Sequence, residues 1–412
     1  MNKKPELLSP AGDFEKLRFA VAYGADAVYF AGQKFGMRAA AVNFDSSALK
    51  NGVAHAHAHG VSCHITVNIM PSNRDLSDLP AYLEQLQEAG ADALLVADVG
   101  MIRLAKKYAP RIPLHISTQT SVLNYEAARF WAELGASRIV LARELSLEEI
   151  AEIREKTPPE LELEAFVHGA MCISYSGRCL ISQYLTGRDA NHGACAQPCR
   201  WKYSLMEETR PGEYFPVEET GNGTYLYNSK DLCMIEAIPD LIRAGVDSFK
   251  IEGRNKTAYY AACVTNAYRT AIDAYRRQPD NFILPAFCRE EVEKVSHREY
   301  YTGFYFGRAK NGQHYDDSQY IRRYEVVGMP IDIDADFHTD GKIVFALKNR
   351  FSQGDELELI QPGQAPWVFH ANGVTDDNGV CRTLFNVPQM RVYFQFPFEV
   401  HPFAILRKKK SD

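Results

Sequence analysis

Short strand-like runs alternate with longer stretches of helical period along the first two thirds of the chain. The runs are ELLSP (6–10), DAVYFAG (26–32), GVSCHITVN (60–68), DALLVAD (92–98), LHISTQT (114–120), RIVLAR (138–143), LELEAFVHG (161–169) and SFKIEG (248–253). Between them lie amphipathic stretches such as DFEKLRFAVAYG, AYLEQLQEAG, EAARFWAELG and SLEEIAEIREK. Asp13 stands where the first helix needs a cap. Strand entries repeat one phrase, AYGADAVYF, EAGADALLV and ELGASRIVL, and AGVDSFKI echoes it near residue 245. Gly24, Gly90 and Gly135 fall where a helix C-cap favours glycine. Short β-rich runs separated by helices imply parallel βα units. Eight such strands close a (β/α)8 barrel; an open doubly wound sheet is the competing architecture.

The stretch from about 170 to 247 breaks this rhythm. It is too long for a simple βα connection, and long insertions in compact domains are usually functional or disordered. Its runs YSLMEE, YFPVEE and TYLYNSK favour an ordered insert with a small β excursion. After TAYYAACVTNAYRTAIDAYRRQ the texture changes near Pro279. YEVVGMPIDIDADF, KIVFALKN, DELELIQPG, VYFQFP and FAILRKK then show β-alternation, separated by the turns TDGK, QGDE and DDNG. The expected class is α/β. A TIM-type barrel spans 1–280 with a cysteine-bearing insert at about 170–247. A connecting segment covers 281–320, and a small all-β barrel or sandwich covers 321–412.

Composition narrows the class. The chain has 412 residues, 46% hydrophobic and 24% charged, enough to bury a full core without disulfides. The N-terminus MNKKPELLSPAGDFEK has no apolar signal region, and no run reaches the roughly 18 apolar residues of a membrane span. The expectation is a cytoplasmic protein with no membrane partner. There thiols stay reduced, so clustered cysteines suggest metal or redox chemistry before disulfides. The net charge of −6 argues against a nucleic-acid coat over the whole surface but leaves room for a local basic groove. Residues 281–412 carry 16 basic and 18 acidic side chains, with no basic bias. The basic tail LRKKKSD reads as solvated.

Of nine cysteines, Cys172, Cys179, Cys195 and Cys199 fall in one glycine-rich segment, and Cys233 follows in NSKDLCM. A zinc ribbon would show two tight C-x-x-C knuckles, and none occurs. Wide, irregular spacing fits a thiophilic metal or an iron–sulfur cluster assembled from several loops. Redox thiols and plain buried cysteines remain open alternatives. Cys63, Cys263, Cys288 and Cys381 sit on strand or helix patterns and read as core.

Polar residues at strand ends are the other candidates, because barrel enzymes project catalytic groups there. Ser9, Arg38, Asn68, Gln119, Arg143, His168, Lys250, Glu252 and Arg254 qualify. His168, Arg38 and Arg254 are the expected catalytic residues; Lys250, Glu252, Arg254, Lys256 and Gln119 are expected to bind substrate. Arg254, Lys256 and Lys250 could hold a dicarboxylate or phosphate, or instead form an ion-pair network with Glu252. Arg38 has the same two readings, and His168 reads either as a proton donor or as a hydrogen-bonded buried histidine. Tyr175, Tyr184 and Trp201 could stack on a base or serve a core. HAHAH at 55–59 puts His55 and His59 on one helix face but lacks the Glu of H-E-x-x-H. No G-x-S-x-G elbow, P-loop or dinucleotide fingerprint is present. A Cys–His pair such as Cys179 with His168 is the one proteolytic arrangement left.

ELLSPAG, AVYFAGQKFGMRAAAVNF, STQTSVLN, EAFVHGAMCISYSGRC, GACAQPCRW, NSKDLC, FKIEGR and SHREYYTGFYFG together resemble the collagenase-like peptidase family, family U-thirty-two among peptidases. The likeness runs over nearly the whole chain. Within the family the chain is most similar to prephenate-dependent tRNA uridine hydroxylases, which form 5-hydroxyuridine at the wobble position. Relatives with the same cysteine pattern act as oxygen-independent hydroxylases in ubiquinone synthesis and carry a 4Fe-4S cluster. The resemblance implies cluster ligands at Cys172, Cys179, Cys195 and Cys233, with Cys199 as alternate and zinc as the alternative metal. It further implies prephenate as co-substrate and tRNA as partner, with a homo-oligomer or a paralogous subunit as further assembly. The alternatives are a peptidase and a hydroxylase of a quinone precursor.

Overall fold

In the computed structural model, residues 4–37, 42–172, 174–175, 178–203, 205–206, 214–215, 224–225, 229–307, 320–331, 338–339 and 342–410 are described. Arg38, one of the expected catalytic residues, lies outside the described residues. Seven parallel strands pair in sequence order: β1 (Glu6–Pro10), β2 (Ala27–Phe30), β3 (Ser62–Val67), β4 (Ala93–Val96), β5 (Leu114–Ile116), β6 (Ala136–Val140) and β7 (Glu162–Ala170). The insert adds two small antiparallel pairs: β8 (Lys202–Tyr203) with β11 (Thr224–Tyr225), and β9 (Leu205–Met206) with β10 (Tyr214–Phe215). β12 (Asp231–Cys233) then returns antiparallel to β7. β13 (Ser248–Ile251) pairs in parallel with both β7 and β1 and closes the ring. The sheet is thus an eight-stranded barrel and not an open doubly wound sheet.

Helices α1 (Phe14–Ala22), α2 (Ser46–Ala58), α3 (Leu79–Glu88), α4 (Val99–Tyr108), α5 (Tyr125–Glu133) and α6 (Leu147–Lys156) fill the successive crossovers. The insert carries α7 (Ile181–Thr186), α8 (Ile238–Arg243) precedes β13, and α9 (Ala258–Arg277) follows it. Asp13 accepts a hydrogen bond from the Lys16 amide at 2.9 Å, the expected cap. Gly24, Gly90, Gly135 and Gly245 take φ of 96°, 82°, 82° and 83°. The repeated phrase therefore encodes left-handed helix stops, where a Cβ would be strained. Several strands are shorter than their apolar runs. In LHISTQT the strand ends at Ile116, and Thr118–Thr120 curls into a 3-10 turn. That turn lifts the polar half of the run onto the barrel mouth.

Beyond the barrel, α10 (Ala286–Lys294) packs on α9, and β14 (Tyr300–Tyr301) extends the sheet beside β12. An antiparallel domain follows: β15 (Tyr324–Pro330), β16 (His338–Thr339), β17 (Lys342–Leu347), β18 (Phe351–Ser352), β19 (Glu356–Ile360), β20 (Trp367–His370), β21 (Leu384–Phe385), β22 (Arg391–Phe394) and β23 (Ile405–Lys409). Its main sheet runs β16-β17-β15-β23-β19-β20, with β22 on β17. The domain has its own core, including Val327, Phe345, Phe351, Leu357, Phe385 and Leu406. Cys63, Cys263 and Cys288 are buried, whereas Cys381, expected in the core, is exposed after the DDNG turn. No helix among the described residues is long and apolar enough to cross a membrane.

Candidate active site at the barrel mouth

The barrel strands end at one face, and the loops leaving them surround a cavity of about 1110 Å³. Its floor includes Lys16 after β1, Met37 after β2, Gln119 after β5, Arg143 after β6, Ala170 at the end of β7, and Glu252 and Lys256 after β13. The insert supplies one wall through Tyr175, Cys179, Asn191 and Cys195. The C-terminal domain supplies another through Tyr320, Arg322, Tyr324, Lys348 and Lys410.

Short loop contacts fix the cysteines. Gly169 takes φ of 106°, and a Cβ there would lie 2.4 Å from the Glu252 carbonyl oxygen. Glycine alone lets these two strand ends approach so closely, and the same approach delivers Cys172 to the cavity. In the insert, the Ser182 hydroxyl donates to the Arg188 carbonyl at 2.7 Å and accepts from the Ala196 amide at 3.0 Å. The Asn191 side chain donates to the Cys179 carbonyl at 3.2 Å, and the Asn191 main-chain carbonyl accepts from the Met70 amide at 3.1 Å. The insert is thereby tied to the loop after β3.

Cys172, Cys179, Cys195 and Cys199 all line the cavity. The Gln197 amide donates to Cys195 Sγ at 3.3 Å. Cys233 arrives on β12, paired opposite His168; burial pushes its thiol up to about 11. A single tetrahedral ion bonded at about 2.3 Å would hold its thiolates within about 4 Å of one another. Among the described residues no three of these sulfurs gather within 4.8 Å. The all-sulfur donor set, spread over several loops, has the chemistry of a thiophilic metal or an iron–sulfur cluster.

Of the expected substrate-binding groups, Gln119, Glu252 and Lys256 line the cavity. Gln119 Oε1 accepts from Asn68 Nδ2 at 3.2 Å and from the Ser117 hydroxyl, which leaves its N–H groups for a ligand. Glu252 accepts from the Tyr29 hydroxyl at 3.2 Å. Lys256 Nζ donates to the Ser296 carbonyl at 2.9 Å and lies 4.3 Å from the Tyr320 ring centre. Arg143 lies 4.1 Å over the Phe166 ring and donates to the Ala170 carbonyl at 3.0 Å. Among the described residues no carboxylate pairs with Arg143, and its buried Nε has no acceptor. Arg143 is thus a cavity cation placed to meet an anion.

Three expected residues lie below the cavity. Lys250 is sealed inside the barrel, 2.6 Å from Glu164 and 4.5 Å from the Tyr29 ring centre. Arg254 is buried and donates to the Thr66 hydroxyl at 3.2 Å. His168 is 1% exposed, with Nε2 at 3.2 Å from the Tyr300 hydroxyl and Nδ1 at 3.5 Å from that of Tyr268. Burial lowers its pKa to about 3, so the ring is neutral. Ser9 faces Thr265 of α9 at 2.8 Å. Tyr175 lines the cavity, while Tyr184 and Trp201 are exposed outside it. The His55 and His59 rings lie 4.5 Å apart on the surface of α2.

A polar core beneath the mouth was not visible in the sequence. Arg138 reaches Glu162 at 2.6 Å, Glu164 at 3.0 Å and Glu6 at 2.5 Å. His64, His115 and Glu164 bring ligand atoms within 4.8 Å of one another. Both Glu164 oxygens already face cations, Lys250 and Arg138. The group is therefore an ion-paired core and not an open metal site. Burial lowers the pKa of both histidines and keeps them neutral.

Comparison with known proteins agrees with this architecture. Residues 12–315 match Peptidase family U32, and residues 322–407 match the Peptidase family U32 C-terminal domain. The chain is 38% identical to tRNA hydroxylation protein P1 of Bacillus subtilis (strain 168), over 100% of this chain and 96% of that protein. It is 38% identical to tRNA hydroxylation protein P of Escherichia coli (strain K12), over 87% and 86% of the two chains. It is also 36% identical to a 23S rRNA 5-hydroxycytidine synthase of Escherichia coli (strain K12), over 86% of this chain and 52% of that one. With barrel and C-terminal domain both matched, this protein belongs to peptidase family U32.

Proposed function

We propose that the protein is a tRNA-modifying hydroxylase that forms 5-hydroxyuridine at the wobble position, using an iron–sulfur cluster and prephenate. The observation that carries this reading is one cavity walled by four thiols, in a chain whose full-length relatives are named for tRNA hydroxylation. Ligand pockets usually measure about 300–1,000 Å³, so a cavity of about 1110 Å³ has room for a nucleotide beside a small anion.

Cys172, Cys179 and Cys195 of the cavity wall, with Cys233 from β12, which is not among the lining residues, would hold a 4Fe-4S cluster, and the cavity-lining Cys199 is the alternate ligand. Bound there, the cluster would supply electron transfer. The remaining tasks fall to the chain's own side chains. The target uridine must leave its stack before C5 can be reached, and the exposed Tyr175 offers a ring face in the cavity. Gln119 presents amide donors to a base carbonyl. Arg143, with its planar fork, and Lys256, with its compact charge, take the carboxylates of prephenate. Of the expected anion-holding residues Lys256 is kept, and Arg143 takes the place of Lys250 and Arg254, which lie beneath the cavity. His168 and Arg254 act as positioning residues. The peptidase alternative has less support, because both ring nitrogens of His168 face tyrosine hydroxyls and not Cys179.

The test is reconstitution without oxygen. Purified protein is incubated with tRNA from a strain lacking the gene, with and without prephenate, and nucleosides are read by mass spectrometry. The expected result is 5-hydroxyuridine only when prephenate is present, from coloured protein holding about four iron atoms per chain. Iron-free protein with stoichiometric zinc and no 5-hydroxyuridine would sink the reading.

A further inference from the structure

We infer that the edge of the C-terminal domain beside the cavity is the grip for the phosphodiester backbone of the substrate RNA. The inference rests on the RNA-substrate reading above and specifies where that RNA is held. Composition hides this surface, since basic and acidic residues nearly balance over 281–412. Topology sorts them. The start of β15 lies beside the end of β23, with Tyr324 opposite Lys409 and the Lys410 amide bonded to the Arg323 carbonyl at 2.8 Å. On the other side of β15 the chain leaving β17 passes the same end. The Lys348 amide donates to the Val327 carbonyl, and the Asn349 side chain to the Val326 carbonyl, both at 2.8 Å.

These pairings gather Arg322, Arg323, Lys348, Arg350, Lys409 and Lys410 at one end of the sheet. All six are exposed, and among the described residues none forms an ion pair. The acids of these strand ends are mostly occupied. Glu325 and Asp355 face Lys408 at 3.9 and 3.4 Å, and Glu358 faces Arg407 and Lys294. Glu356 is left as the exposed acid there. Like charges gathered without counter-charge repel one another, and a polyanion relieves that repulsion while releasing its own counterions.

Position selects RNA over an acidic protein. Arg322, Lys348 and Lys410 line the cavity, whereas Arg323, Arg350 and Lys409 are not among its lining residues. The cations therefore run from the cavity rim outward, the path of a strand whose one flipped base enters the cavity. The edge is tied over the mouth by Tyr320, whose ring centre lies 4.3 Å from Lys256, 5.2 Å from Arg298 and 5.7 Å from Arg322. The chain as a whole carries a net charge of −6, so a cluster of cations at the cavity rim, unpaired among the described residues, is where a polyanion is drawn.

The test combines Arg323→Gln, Arg350→Gln and Lys409→Gln, all outside the cavity. Binding of a fluorescent tRNA anticodon stem-loop is followed by anisotropy at several salt concentrations. Each lost phosphate contact removes about 0.7 from the slope of log K against log salt, so the triple variant is expected to bind more weakly with a slope shallower by about 2. A control with Lys106→Gln and Arg111→Gln, at the opposite end of the barrel, is expected to bind like the native protein. If the native protein binds and the triple variant matches it in affinity and slope, the proposal falls while the RNA reading stands, and the edge serves an acidic protein instead. Equal weakening by the control would also overturn it. A native protein that binds no tRNA at all overturns the RNA reading itself.

Discussion

The junction between barrel and C-terminal domain is built on a buried charge, and removing that charge has a calculable effect. Arg407 of β23 is fully buried. It donates to Glu291 of α10 at 2.8 Å, to Glu358 of β19 at 2.8 Å and to the Tyr259 hydroxyl at 3.0 Å. Glu291 is 0% exposed and Glu358 12%. Arg407→Met keeps the apolar stem but strands both carboxylates. Breaking a buried ion pair costs about 3–5 kcal/mol, because the surviving charge is uncompensated. Lys294 remains 3.4 Å from Glu291 and 3.1 Å from Glu358, which points to the lower end, about 3 kcal/mol. At roughly 2–4 °C per kcal/mol for a cooperative unit of about 150–250 residues, the melting temperature should fall by about 10 °C. Replacing these three of the four charges, with Arg407→Met, Glu291→Leu and Glu358→Leu, removes their desolvation cost together with the attraction and leaves Lys294, 15% exposed, to water. That variant is expected within about 1 kcal/mol of the native protein. Thermal and urea unfolding followed by circular dichroism give the comparison. A single variant as stable as native, or a triple variant as unstable as the single one, would refute the reasoning.

Four further outcomes are expected. Burial alone would raise the pKa of Glu164, but Lys250 and Arg138 outweigh it and hold it below its ordinary value; Arg407 and Lys294 do the same for Glu358. Both carboxylates therefore stabilise fully above the unfolded value of about 4.3 and lose that contribution as pH falls through their lower folded values. Melting temperature should decline as pH falls below about 4, and Glu164→Gln should shrink that decline while lowering stability at neutral pH. Gly169→Ala places a Cβ 2.4 Å from the Glu252 carbonyl oxygen at φ of 106°; about 1–3 kcal/mol of strain and loss of hydroxylation should follow, read by melting and nucleoside analysis. Arg143→Gln should raise KM for prephenate by about 10–100-fold, the value of one charged hydrogen bond at about 1.5–3 kcal/mol, whereas a fall in kcat alone would count against an anion-holding role. Cys172→Ala should abolish visible absorbance and bound iron, while the buried Cys63→Ala should leave both intact.

The barrel was legible because its signals are local. Eight short runs, the Asp13 cap and the glycine stops at residues 24, 90 and 135 each specify a neighbourhood of a few residues. Side-chain direction at the strand ends was not legible, because it depends on distant partners. Lys250 turns inward to Glu164, 86 residues away, and Ser9 turns outward to Thr265. Arg143 stood among many strand-end residues, and what sets it apart is that among the described residues no carboxylate pairs with it. WVFH at 367–370 was missed as a strand because most of its side chains face solvent, which blurs the alternation. The cationic edge was invisible for a different reason: charge totals average over a domain, while strand pairing places residues 322–323, 348–350 and 409–410 together. The cysteines were conspicuous as a group, but only the folded loops show that four of them share one cavity wall.

The most direct test of the central claim is nucleoside mass spectrometry of total tRNA from a strain lacking this gene, with and without the gene restored. The account predicts that 5-hydroxyuridine and its methoxy and carboxymethoxy derivatives disappear on deletion and return on restoration. An unchanged nucleoside profile, in a strain with no redundant paralogue, would contradict it.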